Sequence, residues 1–254
     1  MGGASAVDAA SHGRIGVFDL VRGFSVISMV LFHLCYDLKF IAGAQLAWFA
    51  PPLQDVWRCS ISWTFLFVAG CMFPLSRDNL RRAAEYGAVA LAIWIVTSVA
   101  AVDVPISFGI IYCMFACTLV AWALHRLGLL PRGCVAAIVL VVMFLALQGL
   151  ADGTVGIGAL SWEVPSELYA TPWLSWLGLP GPGFSSGDYY PLLPYLALYL
   201  AGAALGTRWS RKGYPEWAYR AHVAPLNFVG RHALLVYIAH QPVILGICVL
   251  AGAL

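Results

Sequence analysis

Long apolar runs dominate the chain, broken at intervals by Pro, Gly or charge. About 20 apolar residues suffice for a helix to cross the hydrocarbon core of a bilayer. By that rule the runs predict seven spans, at about 16–38, 56–75, 83–101, 106–125, 133–150, 191–206 and 227–250. Pro51-Pro52 opens the second span and Pro74 closes it. Asp103-Val104-Pro105 separates the third from the fourth, His125-Arg126 ends the fourth, and Pro191 starts the short sixth. One connection is long, about 151–190. Within it Leu168 to Leu179 is apolar but too short to span, and reads as an interfacial helix or a re-entrant segment covering a site. Loops of this length are usually functional or disordered, and the Trp and Tyr content argues for function. The pattern predicts an all-α integral membrane protein. It is a bundle of about seven transmembrane helices with one long outer loop, forming a single domain over 1–254.

Composition agrees. Hydrophobic residues make up 61% of the chain and charged residues 10%, against about 25% charge in soluble domains. Mean hydropathy is +0.84. No loop leaves room for a second soluble domain. The net charge of +2 says little, but its distribution sets an orientation. With the N-terminus cytoplasmic, Arg14, Arg22, Arg77, Arg81, Arg82, Arg126, Arg132, Arg208, Arg211, Lys212, Arg220 and Arg231 all fall inside, leaving Lys39 and Arg58 outside. That bias fits the positive-inside rule and an odd number of spans, with the C-terminus outside. Residues 1–13 lack the apolar core of a cleaved signal, so the first span is expected to persist. The seven cysteines form no CxxC pair and read as small hydrophobes; a Cys35–Cys59 disulfide near the outer surface has weak support. No internal repeat is visible, which disfavours an inverted-repeat transporter.

The chemistry gathers in the first span, RIGVFDLVRGFSVISMVLFHLCYDLKF from Arg14 to Phe40. Ionisable groups inside a membrane helix are costly and mark functional sites by default. At roughly 100° per residue, Asp19, Arg22, Val26, Met29, His33 and Asp37 fall within about 80° of one another. This polar stripe is expected to face the protein interior. His33 and Asp37 are neighbours four residues apart, and a carboxylate beside an imidazole makes a general base near neutral pH; the plainer reading is a buried, satisfied His. Asp19 and Arg22, three apart, read either as a structural ion pair or as an Arg facing an anionic ligand. Gly23 permits close approach of a backbone or a ligand.

The last span, GRHALLVYIAHQP, places Arg231 and His232 at its inner end, with Tyr237, His240 and Gln241 further along and Pro242 freeing a carbonyl. One His in the first span and one in the last suggest a shared interior cavity. Metal binding needs more ligands at recognisable spacing, so neither metal nor haem is expected. Asp188, before Pro191, reads as a helix N-cap or as a substrate contact at the outer mouth. Ser107-Phe108-Gly109 and Tyr112 open the fourth span near the outer side.

FDLVRGFSVISMVLFHLCYDL, SWTFLFVAGCMFPLSR, FGIIYCM, DYYPLLPYLALYLAGAALG and GRHALLVYIAHQPVI, in that order, resemble successive blocks of the heparan-α-glucosaminide N-acetyltransferase catalytic-domain family in its small bacterial form. Together they cover most of residues 14–244. The resemblance implies a transmembrane acyltransferase that takes acetyl from cytoplasmic acetyl-CoA and delivers it to an acceptor across the membrane, an amino sugar in the animal enzyme. The family's catalytic His carries over onto His33 and its motif Arg onto Arg22. Bacterial relatives commonly show FGILH, so Tyr112 here stands where they have His. The expected setting is a bacterial cytoplasmic membrane.

The reading that follows is an acetyl-CoA-dependent acyltransferase acting on an amino sugar or other glycan. His33 is the base and Asp37 its orienting carboxylate. Arg22, with Asp19 and Arg231, meets CoA phosphates, and Tyr112, Asp188, Tyr237, His240 and Gln241 line the substrate cavity. Arg22 and His33 lie about 16 Å apart along the helix axis, a distance a pantetheine arm can run. The expected partners are acetyl-CoA, the acceptor and the bilayer, with no nucleic acid; a homodimer stays open. The alternative is a proton-coupled small-molecule transporter using His33, Asp37 and His240 as a relay.

Overall fold

The computed structural model describes residues 14–252, so the expectation for residues 1–13 lies outside them. The helices are α1 (Gly16–Tyr36), α2 (Leu53–Cys71), α3 (Asn79–Ala100), α4 (Ile110–Arg126), α5 (Gly133–Ala146), α6 (Leu192–Lys212), α7 (Glu216–Arg220), α8 (Ala224–Arg231) and α9 (Ala233–Leu250). A hairpin of β1 (Thr154–Ile157) and β2 (Leu160–Glu163) precedes α6. Among the described residues, five helical segments are long and apolar enough to cross a membrane: Gly16–Ile41, Leu53–Leu75, Asn79–Ala100, Gly133–Asp152 and Ala233–Leu250. The fold is mostly helical, and the protein is an integral membrane protein. α4 is apolar but shorter. On α5 and α9, Val135, Ile138, Val142, Val243 and Ile247 are all exposed, as lipid-facing surfaces require.

The chain packs as two compact units. Among the described residues, one comprises 14–68 with 212–252 and the other Ala69–Arg211.

In the first unit α1 lies against α8 at very close range. A Cβ on Gly23 would sit 1.9 Å from the Leu226 carbonyl oxygen, and one on Gly230 would sit 1.8 Å from that of Asp19. Only a pair of glycines lets two helix backbones meet this way. Asn227, buried on α8, donates to the Gly16 carbonyl at 2.8 Å and accepts from the Val223 N–H at 2.7 Å. Val26, Met29 and Ala233 form a core on which Ile61, Phe65 and Tyr237 pack. Of the six stripe residues, Asp19, Val26, Met29 and Asp37 are buried and Arg22 and His33 are half-buried, while Phe24 and Leu31 on the other side of α1 are exposed.

The last predicted span is two helices. At His232 the backbone leaves helical angles. Its N–H turns to the Val229 carbonyl, and its ring Nδ1 meets the Phe228 carbonyl that a continuing helix would have used.

The second unit is built on α3 to α6. Gly70 and Gly206 seat the last turn of α2 against α6: a Cβ on either would meet the Tyr199 or the Cys71 carbonyl oxygen, at 2.0 and 2.2 Å. Tyr199, fully buried, pairs its hydroxyl with Thr118 at 3.0 Å. The long connection carries regular structure of its own. Gly158, at φ +57°, takes the first place of a two-residue turn between β1 and β2, a position that selects glycine in hairpins. The stretch Leu168–Leu179, read as an interfacial helix or a re-entrant segment, contains no α-helix; its regular structure is a pair of short 3-10 turns, Ser166–Tyr169 and Pro172–Leu177. Cys35 and Cys59 are both free thiols, so the disulfide considered between them is absent.

Candidate active site

α1 does not stop where the apolar run ends. It continues as a π-helical turn over Asp37–Ile41, in which the Ala42 N–H bonds the Asp37 carbonyl at 2.8 Å. Single π turns of this kind are frequent at functional sites. Asp37 begins that turn and is almost fully buried, at 1% exposure. Its carboxylate accepts two hydrogen bonds from the Gln241 amide, at 3.1 Å to Oδ1 and 2.9 Å to Oδ2. A carboxylate can only accept, so the NH₂ of Gln241 is committed to it. Gln241 Oε1 then points the other way, buried and without a hydrogen-bond partner among the described residues.

His240, the preceding residue on α9, is constrained in a similar way. Its Nδ1 meets the Tyr237 carbonyl. A carbonyl accepts, so Nδ1 carries the proton and Nε2 is the basic nitrogen. Nε2 is buried and has no partner among the described residues. The His240 ring lies beside that of His33, centroids 4.9 Å apart, and beside that of Tyr237 at 5.4 Å. His33 and Asp37 from α1 thus meet His240, Gln241 and Tyr237 from α9 within one unit. Two adjacent residues of α9 each present a buried acceptor that lacks a donor. Leaving such a group unmet costs about 1–3 kcal/mol, and a molecule offering N–H or O–H groups would remove that cost.

An aromatic cluster backs His33, and sequence reasoning missed it. Phe32 packs edge-on against Phe49 (5.2 Å), Trp57 (5.5 Å) and His33 (5.9 Å). Trp57 donates to Ser28 on α1 at 2.7 Å, and Lys39 donates to the Phe49 carbonyl. The apolar loop Trp48–Pro52 was the available signal, read there only as an opening to the second span.

The other expected residues fall as follows. Asp19 is buried, and both its oxygens are held by Arg14, with Nη2 to Oδ1 at 2.9 Å. The short-range ion pair considered for Asp19 is therefore made with Arg14, whose guanidinium is held further above its usual range by that hydrogen bond. Arg22 is half-buried, one turn on. Arg231 is exposed, its Nε donating to the Asn227 carbonyl at 3.2 Å. In the second unit, Asp188 accepts from the Ile110 N–H at 3.3 Å and so caps α4, where the sequence suggested a cap for the helix after Pro191. Tyr112 stacks in a row with Phe108 (4.9 Å), and Phe108 continues to Phe184 and Tyr189. Among the described residues no three His, Cys, Asp or Glu side chains converge as a metal site requires.

A family model described as heparan-alpha-glucosaminide N-acetyltransferase, catalytic, matches residues 14–242. The chain belongs to this family. No curated protein matches it, and no solved structure does. The heparan-alpha-glucosaminide N-acetyltransferase match begins at Arg14, the partner of Asp19, and ends one residue beyond Gln241. It therefore takes in all of the residues placed above. Membership makes the chain a membrane transferase of the acetyltransferase type.

Proposed function

We propose that this protein moves an acetyl group from cytoplasmic acetyl-CoA to an amino sugar or other glycan acceptor on the outer side of a bacterial cytoplasmic membrane. In this reading the chain works as one transmembrane domain of seven crossings, α4 and α6 completing the five apolar spans, with the N-terminus inside and the C-terminus outside. The observation that carries it is the pairing of His33 with His240 beside the Asp37–Gln241 bond. Two bare acceptors, His240 Nε2 and Gln241 Oε1, suit an incoming amine or hydroxyl, from whose N–H or O–H groups they can accept hydrogen bonds.

The chemistry follows in balanced steps. The acceptor nitrogen attacks the thioester carbonyl and forms the new C–N bond. His33 takes the proton that the nitrogen loses, and the adjacent His240 lone pair helps to hold the nucleophile. The C–S bond breaks, and the CoA thiolate leaves and is reprotonated from His33. Asp37, held by Gln241, fixes the end of α1 on which His33 stands. Arg22 and Arg231 are the proposed contacts for the phosphates of CoA, while Asp19 holds Arg14 at the start of α1. Tyr237 sets the His240 tautomer, and Tyr112 and Asp188 keep their proposed role as substrate contacts. The aromatic cluster at Phe32, Phe49 and Trp57 would limit water beside His33, which protects a thioester from hydrolysis.

The test is proteoliposomes loaded with radiolabelled acetyl-CoA. Free CoA should accumulate inside, and label should appear on the external acceptor, only when the acceptor is supplied. His33→Ala should abolish transfer while acetyl-CoA binding stays near wild type. Wild-type transfer by His33→Ala refutes the catalytic assignment. Acceptor flux without CoA release would favour the transporter.

A further inference from the structure

The second unit holds a cavity of about 220 Å³ where Phe73, Asn79, His125, Arg132, Thr207 and Arg211 come together. Asn79, the first residue of α3, gives its amide N–H to the Phe73 carbonyl at 3.0 Å. Its Oδ1 is buried with no partner among the described residues, and so is the Thr207 hydroxyl on α6. Neither Arg132 nor Arg211 belongs to the ion pairs found among the described residues. Basic residues at loop ends need no special account in a membrane protein. Two buried, unmet polar atoms on residues that line the same cavity do, because each costs about 1–3 kcal/mol if nothing meets it. Arg132 is also the N-cap of α5, and no side chain caps that helix. Its first-turn N–H groups add to a field that favours an anion.

The groups differ in what they ask of a ligand. The two guanidiniums and the Thr207 hydroxyl can donate to anionic oxygens. Asn79 Oδ1 can only accept, so it asks for a donor on the same molecule. The volume lies below the roughly 300–1,000 Å³ of pockets that enclose a drug-sized ligand, so it suits a head group and not a whole dinucleotide-sized molecule. We propose that this cavity binds a phosphate group carrying a neighbouring hydroxyl. Such a group comes either on a small soluble phosphate ester or on a phospholipid head. The site stands apart from the acetyl-transfer reading.

The test uses the full chain in nanodiscs of phosphatidylcholine, titrated calorimetrically with sn-glycerol 3-phosphate and with methyl phosphate, which keeps the charge but lacks the hydroxyls. In parallel, nanodiscs containing phosphatidylglycerol are assayed for retained lipid by native mass spectrometry. Wild type should bind glycerol 3-phosphate saturably and several-fold tighter than methyl phosphate, or retain phosphatidylglycerol over phosphatidylcholine. The first result marks a soluble ligand, the second a lipid head. Thr207→Val, which keeps the side-chain volume, and Arg132→Gln, at an exposed position, should each weaken the observed binding about tenfold, with melting in the same discs unchanged for Arg132→Gln. The proposal is overturned if wild type binds neither probe, or if the folded Arg132→Gln protein binds as well as wild type.

Discussion

Replacing Gln241 with Leu removes the amide that holds Asp37 and keeps most of the side-chain volume. Asp37 is 1% exposed, so water cannot take the amide's place without rearrangement. The two bonds, at 3.1 and 2.9 Å, come from one NH₂ group. We therefore count them as one charge-assisted interaction, about 1.5–3 kcal/mol. The readout is thermal unfolding in detergent followed with a thiol-reactive dye, since Cys71, Cys113, Cys117 and Cys248 are buried free thiols that unfolding exposes. A double-mutant cycle with Asp37→Asn separates the pair from other effects of each change. The coupling should exceed 1 kcal/mol, roughly the lower part of the range for contacting residues. On the acetyl-transfer reading, Gln241→Leu also lowers kcat more than it raises KM, because Asp37 anchors the segment carrying His33. A coupling within about 0.5 kcal/mol of zero, the level of independent sites, would show that the Asp37–Gln241 bond does not stabilise the fold.

Gly230→Ala places a methyl 1.8 Å from the Asp19 carbonyl oxygen; it should destabilise the first unit by about 1–3 kcal/mol or more, as overpacking does, and unchanged melting would refute the close helix contact. Burial pushes the Tyr189 phenol, bonded to the Ser175 carbonyl at 2.6 Å, above its usual value, with Tyr169 and Tyr112 adding to the shift. The neutral phenol is thus favoured in the folded loop. Its contribution is full below about pH 10, where an unfolded tyrosine titrates, and is lost as pH rises through the folded value. Proteolysis of the connection before α6 should therefore accelerate above about pH 10; equal acceleration in Tyr189→Phe would show that this phenol is not the cause.

Much of α1 was legible because helical periodicity is a local property. Asp19, Met29 and Asp37 share the buried face, and Phe24 and Leu31 the exposed one, as a repeat of about 3.6 residues dictates. The partners of those residues were not legible. Asp37 binds Gln241, 204 positions away, and its neighbour one turn back offered a nearer but less informative choice. Asp19 went to Arg14, just outside the helix, where stripe geometry does not look. The break at His232 depends on a side-chain nitrogen competing for one carbonyl, and hydropathy carries no trace of it. In the long connection the hairpin at Thr154–Glu163 went unread, because two four-residue strands joined at Gly158 carry too few alternating positions to stand out from a loop.

The bond between Asn227 and the Gly16 carbonyl joins residues 211 positions apart. The groove of α1 lined by Gly23 is filled only by a segment synthesised near the end of the chain. At roughly 5–20 residues per second, the first helix waits about 10–40 s in the bilayer before α8 exists. His33 and Asp37 are made early and His240 and Gln241 late, so no truncated nascent chain carries the whole constellation. An insertase or chaperone that shields a glycine-lined helix face during translation would act on α1 in that interval.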